Sequence, residues 1–379
     1  MPISTNNMLP HFHTLYLETT RSCNLSCKYC STGSNGKFDN SDDMTFDEIV
    51  NRILYPAYEL GTRFINLSGG EFLLRKDAYD LLLKANKIGF RISIVSNGTT
   101  LNEKNIQKLK TILGDNLLIS LGVDSFDKNN KSTRQITSGY ILKKIYLLEK
   151  NYIGINICVT IGKFNTHSFS DTVKNIRELK LPFNRIPFVI RNCNSCDLMY
   201  NSDILRKYFH PTLRRQFHGS VSYTPHFLSP DTYENATGQT EKNDMVPTNP
   251  SIGCWCGSFY GINPEGDVSV CPLLLDNVSA GNVLTEDLRQ ILTESDQFKR
   301  ILQRDSFGGK CGNCQYRFTC GGCRALAYYK TGDVFGEDPT CFIDDLSEKE
   351  LCDIEKETEK SFKNYIRMAT FGKVFTLPT

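Results

Sequence analysis

Residues Cys23-Asn24-Leu25-Ser26-Cys27-Lys28-Tyr29-Cys30 set three thiols at C-x3-C-x2-C spacing, directly after an apolar strand pattern at residues 14–18. A [4Fe–4S] cube is ordinarily held by four cysteine thiolates. Three leave one iron without a protein ligand, much as a catalytic zinc site keeps one position open. Open metal sites do chemistry. Half a zinc ribbon and a set of loose thiols are the competing readings of the triplet taken alone.

Outward from the triplet, short β-branched runs alternate with longer helical patterns as far as residue 190. Candidate strands fall at residues 14–18, 63–67, 91–95, 117–122, 155–160 and 185–190. Between them apolar residues recur at three and four spacing, as in Ala78, Leu81, Leu82 and Ala85 or Ile141, Ile145 and Leu148. That is the pattern of helices packed on a sheet. Repeated strand–helix units imply parallel strands with right-handed crossovers. The fold class is therefore α/β, and six units make a partial (β/α)6 barrel of the TIM type. In such barrels the working groups sit on the loops after the strands. The triplet follows the first strand, Ser68-Gly69-Gly70-Glu71 the second and Ser96-Asn97-Gly98 the third. Three independent polar motifs on one rim are hard to explain as turns alone.

The 379 residues allow two domains, and 44 Lys plus Arg against 42 Asp plus Glu leave a charge of +2, which implies no nucleic-acid or other polyanionic partner. The first twenty residues are polar, and no apolar run reaches membrane-spanning length, so a cytoplasmic protein without membrane contact is expected. In a reducing compartment clustered cysteines are more often metal ligands than disulfides. Of the 15 cysteines, only Cys158, Cys193, Cys196 and Cys352 fall outside the groups at 23–30 and 254–341. The expected organisation is a barrel over 1–190, a linker or insertion near the substrate site over 191–250, a cysteine-rich domain over 251–345 and a charged helical tail over 346–379. The second segment carries Arg191, Asn192, Cys193, Cys196, His210, His218 and His226, and its stretch 231–250, rich in Asn, Thr, Gly and Pro, reads as a linker. Cys193 and Cys196 have redox-pair spacing without a helix start behind it, which favours a loop near the substrate or incidental thiols. The three histidines read as surface or packing residues. The segment after residue 251 has only short apolar runs and would rely on metal staples.

The triplet, with an aromatic residue before its last cysteine, and Gly69-Gly70-Glu71 one strand later resemble the radical SAM superfamily. The resemblance implies an enzyme whose open iron chelates the amino and carboxylate groups of S-adenosylmethionine, with Cys23, Cys27 and Cys30 as the ligands of the catalytic cluster. It implies that Gly69, Gly70 and Glu71 hold the methionine ammonium, since glycines admit close approach and a carboxylate partners an ammonium. Phe72 stands where the family usually has proline, which affects the turn more than the chemistry. Tyr29 would lie near the adenine, and Ser96, Asn97, Ser120, Asp124 and Thr160 would reach ribose and carboxylate groups. Core packing and helix capping are the plain alternatives for these residues. One electron from a flavodoxin or ferredoxin would cleave the bound molecule to methionine and a 5′-deoxyadenosyl radical, which takes a substrate hydrogen. The cofactor carries the hard step, and the protein positions it and excludes water.

Farther along, Cys256, Gly266 and Cys271, then Cys311-x2-Cys314-x5-Cys320-x2-Cys323 and finally Cys341, look like a SPASM domain, a small fold of short strands and helices holding auxiliary clusters. The last spacing of the central run is one residue shorter than usual. Structural zinc competes, because paired C-x2-C units suit it too. Cys254 completes eight thiols, enough for two cubes and three [4Fe–4S] clusters in all. By resemblance, Cys254, Cys256, Cys271 and Cys323 hold one auxiliary cluster, and Cys311, Cys314, Cys320 and Cys341 the other. Fully ligated cubes suit electron transfer rather than substrate binding. Sulfatase maturation is disfavoured because Pro272 follows Cys271 where an Asp base is needed. The run from Gly309 to Pro339 is similar to the haem-maturation subgroup. The expected function is oxidative modification of a peptide or protein, by cross-link, thioether or similar. Maturation of a tetrapyrrole or other small-molecule cofactor precursor is the first alternative, and a non-catalytic iron–sulfur carrier or sensor the second. The short N-terminal segment leaves no room for a fused peptide-recognition domain, so a separate recognition protein would take its place.

Overall fold

A computed structural model of the chain describes residues 12–34, 36, 42–191, 196–214, 224–237 and 253–370. Six parallel strands follow one another, β1 (Thr14–Glu18), β2 (Phe64–Ser68), β3 (Arg91–Ser96), β4 (Leu117–Gly122), β5 (Gly154–Ile161) and β6 (Phe183–Pro187). Helices such as Ala78–Ile88, Glu103–Leu113, Ser138–Lys150 and Phe169–Glu178 make the crossovers. The sheet does not stop at β1. Three short strands, β7 (Phe259–Ile262), β8 (Asp267–Ser269) and β9 (Gly281–Asn282), extend it in the order β6-β5-β4-β3-β2-β1-β7-β8-β9. β7 lies parallel to β1, with Thr14 opposite Phe259 and Leu17 opposite Ile262, whereas β8 and β9 return antiparallel.

Strand alternation sorts side chains between two surroundings. Leu15, Leu17, Ile65, Leu67, Ile92, Ile94, Ile119, Leu121, Ile157 and Val159 are buried in the core. Burial of each such side chain contributes roughly 1.5–3 kcal/mol. The intervening Tyr16, Asn66, Ser93, Ser120, Asn156, Cys158 and Thr160 line a cavity inside the barrel. The strands thus bring hydroxyl, amide and thiol groups to a wall that also carries apolar side chains, a lining suited to a ligand.

The described part of the stretch expected as a linker is helical. Pro230–Thr237 forms a helix whose first turn is held by Ser229, the acceptor for the Thr232 amide, and Tyr233 stacks on Phe362. Burial of that ring outweighs the polar composition. Asn192, Cys193, His218 and residues 238–250 lie outside the described residues, and Cys196 opens the short turn Cys196–Leu198. His210 and His226 are buried, and His210 packs edge-on against Phe227 and Phe342. The tail helix Glu348–Thr370 is docked, with Ile354 and Phe362 buried and Ser361 donating to the Arg214 carbonyl. No helix among the described residues is long and apolar enough to cross a membrane.

A charge network joins the ends of the barrel to the later segment. The carboxylate of Glu18, at the end of β1, receives both Nη groups of Arg191 at 2.6 and 2.7 Å, and both side chains are only 1% exposed. Arg191 Nε donates to Asp276, which also receives Arg21 Nη2 at 2.7 Å. Arg21 in turn grips Glu265 with two hydrogen bonds. Removing one partner of a buried pair strands the other charge and costs about 3–5 kcal/mol. Arg191→Met is expected to lower the urea-unfolding midpoint by that amount of stability, and adding Glu18→Gln should recover part of it.

Candidate functional site

The cysteine loop leaves β1 and is held against the end of β2. The amides of Gly70 and Glu71 donate to the carbonyls of Thr20 and Ser22, both at 2.8 Å. A Cβ on Gly69, whose φ is +135°, would fall 2.3 Å from the Thr20 carbonyl oxygen, and one on Gly70 only 2.2 Å from that of Ser22. The two glycines thus admit the backbone of the cysteine loop, and they also face the cavity. Their permissiveness fixes where the thiols stand.

Glu71 departs from the expectation drawn for it. Its carboxylate is fully buried and accepts from Ser96 Oγ and the Asn97 amide at 2.9 Å each, and from Thr100 Oγ1 at 3.2 Å. Burial raises its pKa, and the donors from Asn97 and Ser96 oppose that rise. With three donors on its oxygens, the side chain ties the loop after β2 to the loop after β3 and does not line the cavity. Asn97 carries the contact onward, with Nδ2 3.8 Å from Cys23 Sγ and 3.1 Å from Asn24 Oδ1.

Asp124 is likewise a support. It is wholly buried, Thr133 Oγ1 donates to it at 2.6 Å, and the Tyr29 hydroxyl sits 2.5 Å from each of its oxygens. Tyr29 lines the cavity and stacks on Phe164 at 4.8 Å with a 3° interplanar angle. Arg134, absent from the sequence-derived site, donates to the Tyr29 hydroxyl at 2.8 Å, and its buried Nε makes no hydrogen bond among the described residues. An arginine closing a short polar helix, Lys128–Arg134, carries no periodic signal that would set it apart from a solvated charge. Ser120 faces the cavity and shares a 3.0 Å hydrogen bond with Ser93.

One cavity of about 1400 Å³ connects these groups. Its wall includes Cys23, Cys27 and Cys30 from the first loop and Cys254, Cys256, Cys271 and Cys323 from the C-terminal segment. Cys254 Sγ lies 3.4 Å from Cys256 Sγ. A second, small hollow is bordered by Cys311, Cys314, Cys320 and Cys341. The donor set fits iron–sulfur clusters. Burial pushes Cys23 up to about 11 and Cys320 up to about 12, so both sulfurs are protonated at neutral pH until a metal replaces the proton.

Residues 17–178 match the family model of the Radical SAM superfamily, and residues 254–315 match that of SPASM, an iron–sulfur cluster-binding domain. The chain is a radical SAM enzyme, using S-adenosylmethionine and [4Fe–4S] clusters. Within that superfamily it carries a SPASM domain. It is 26% identical over 343 residues to the AdoMet-dependent heme synthase of Nitratidesulfovibrio vulgaris, covering 86% of this chain and 90% of that one. Its fold is similar to Streptococcus suis SuiB bound to the precursor peptide SuiA, with TM-score 0.65, 16% identity and coverage of 87% and 75%. It is also similar to anSMEcpe with bound AdoMet and Cp18Cys peptide, with TM-score 0.64, 17% identity and coverage of 95% and 99%.

If Glu71 acts as the tie between rim loops, Glu71→Ala leaves the buried Asn97 amide without its acceptor. A loss of about 1–3 kcal/mol is expected, read as a lower urea midpoint together with faster amide exchange across residues 96–100.

Proposed function

We propose that this enzyme oxidatively modifies a peptide or protein side chain held in the barrel cavity between the N-terminal thiol triplet and the first C-terminal thiol set. The carrying observation is that both thiol sets border one cavity, whose strand-borne wall offers hydroxyl and amide groups beside the thiols. When bound by Cys23, Cys27 and Cys30, a [4Fe–4S] cluster with S-adenosylmethionine supplies a carbon radical able to take hydrogen from an unactivated carbon. Arg134 offers its unfilled Nε to the methionine carboxylate, and its position is fixed by Tyr29 and Asp124. Gly69 and Gly70 leave backbone, not side chain, at the cavity edge beside the triplet. The Tyr29 ring, backed on one face by Phe164, offers a flat aromatic surface for the adenine.

The cavity wall then bears on the substrate. Tyr16, Asn66, Ser93, Ser120 and Asn156 offer amides and hydroxyls, which suit the donors and acceptors of a peptide backbone. Near the thiol sets, Arg191 is matched by Glu18 and Asp276, while Arg134 lies 3.7 Å from Asp124. Cys254, Cys256, Cys271 and Cys323 would hold an auxiliary cluster at the substrate side, positioned to accept the electron lost in a net oxidation. Cys311, Cys314, Cys320 and Cys341 would hold the other. A flavodoxin or ferredoxin is the expected donor for the first electron, and a separate recognition protein the expected guide for a precursor peptide.

A second reading is maturation of a tetrapyrrole or other cofactor precursor. It is supported by the similarity to a protein named AdoMet-dependent heme synthase along most of the chain, and by Arg91, Arg177 and Lys180 at the other end of the cavity.

Anaerobically reduced protein is expected to form 5′-deoxyadenosine, and Cys23→Ala, Cys27→Ala and Cys30→Ala together should reduce it to background while the C-terminal iron stays bound. Persistence of the product in that variant would sink the assignment of the triplet. The cell-extract fraction that stimulates 5′-deoxyadenosine formation should lose its effect after protease treatment. A stimulating fraction that resists protease and absorbs visible light would replace the peptide by a tetrapyrrole.

A further inference from the structure

Between the two C-terminal thiol sets the fold buries cations. Arg304 and Arg324 are among the largest wholly buried side chains of the described chain. Arg304 Nη2 donates to the carbonyl of Cys254 at 2.7 Å, and its Nη1 donates to the carbonyls of Arg317 and Phe318. Arg324 donates to the carbonyls of Gly322, Val334 and Gly336, and its Nη2 reaches Cys311 Sγ at 3.5 Å. Its guanidinium lies 4.2 Å over the Phe307 ring. These hydrogen bonds go to carbonyls and one thiol, so neither charge is met by a bidentate carboxylate of the kind that holds Arg191.

Asp338 sits between the sets with a definite direction. Its Oδ2 accepts from the Cys323 amide at 2.6 Å, its own amide donates to Cys311 Sγ at 3.3 Å, and Thr340 supplies both amide and hydroxyl to Oδ1. The carboxylate hydrogen-bonds the amide of a ligand of the cavity-side set while also bordering the outer hollow. The amide of the same residue and the Arg324 guanidinium both donate to a sulfur of the outer set. The turn from Cys320 to Cys323 makes this approach fit, because Gly322 has φ +57° and a Cβ there would lie 3.0 Å from Cys311 Sγ and 2.5 Å from Arg324 Nη2.

A buried guanidinium with no carboxylate hydrogen-bonded to it is costly unless negative charge lies near it, and a four-iron cube on four thiolates would add such a charge. Reduction potentials of these clusters rise with hydrogen bonds to sulfur and with nearby positive charge. The geometry points to a potential step built by Arg324 and Asp338, which makes the cluster on Cys311, Cys314, Cys320 and Cys341 easier to reduce than the one on Cys254, Cys256, Cys271 and Cys323. This rests on the two-cluster reading above. One electron arriving at the cavity-side cluster then moves to the outer one. The first is oxidised by one electron and the second reduced by one, with no bond made or broken. Arg324 and Asp338 act through the clusters as tuning residues and touch no substrate.

The test is a redox titration followed by electron paramagnetic resonance, on full-length protein with Cys23→Ala, Cys27→Ala and Cys30→Ala so that only the auxiliary clusters report. Arg324→Gln is expected to make the outer cluster at least tenfold harder to reduce, a fall of about 59 mV for a one-electron couple, with the cavity-side midpoint little changed. Arg324→Lys should keep most of the native value, and Asp338→Asn should raise the cavity-side midpoint. Native midpoints in iron-replete Arg324→Gln, or equal shifts in Arg324→Gln and Arg324→Lys, would overturn the proposal. If Arg324→Gln loses its outer iron, Asp338→Asn decides, and an unmoved cavity-side midpoint overturns it equally. Absence of two auxiliary [4Fe–4S] signals from the unsubstituted C-terminal segment would instead overturn the cluster assignment beneath it.

Discussion

The carboxylate of Glu18 ends the first strand, one residue short of the turn into the cysteine loop, and it is wholly buried. Such a charge needs a cation in good geometry, and Arg191 supplies one through two short hydrogen bonds. Arg191 comes from the chain just beyond the sixth strand and also holds Asp276, whose carboxylate Arg21 grips from the cysteine loop itself. Burial works against ionisation of Asp276, yet the hydrogen bond from Arg21 and the charge of Arg191 hold its carboxyl well below the usual range. Start of barrel, end of barrel and C-terminal segment are thus fixed to one another around two carboxylates. The positions of the thiols on the rim follow from that fixation.

The same rim is held by two carboxylates, Glu71 and Asp124, that do not line the cavity. Glu71 fixes the loop of Asn97, Asn97 reaches Cys23, and Asp124 fixes Tyr29, which Arg134 also holds. Radical chemistry needs a reactive carbon kept at a set distance and kept dry. Buried carboxylates saturated by donors give that rigidity more effectively than apolar contacts alone, because each donor fixes a direction as well as a distance.

The barrel was legible because its signals are local. Alternating strands and helices, glycines at a turn and a triplet of thiols can be read within short windows, and all six parallel strands occur at or near the expected residues. What the windows missed depends on long-range contact. The acidic residues Glu71 and Asp124 have the right type and place for ligand contact, but sequence does not show which way a carboxylate points. Arg134, Arg304 and Arg324 resemble surface charges until packing buries them. The helix over Pro230–Thr237 is hidden by polar composition, because it depends on one tyrosine finding Phe362 in the tail. The pairing of β7 with β1 joins residues more than two hundred positions apart, and no periodicity announces it.

That pairing bears on how far the chain can be divided. β1 is an inner strand only because β7 covers its outer edge, and without the C-terminal segment its backbone groups on that edge would be left unpaired. Exposed edges of this kind recruit other strands and promote aggregation. The iron-binding C-terminal segment is therefore no appendage that evolution could exchange freely. It covers the edge of the first strand, so a chain that lost the segment would lose that cover along with its thiols.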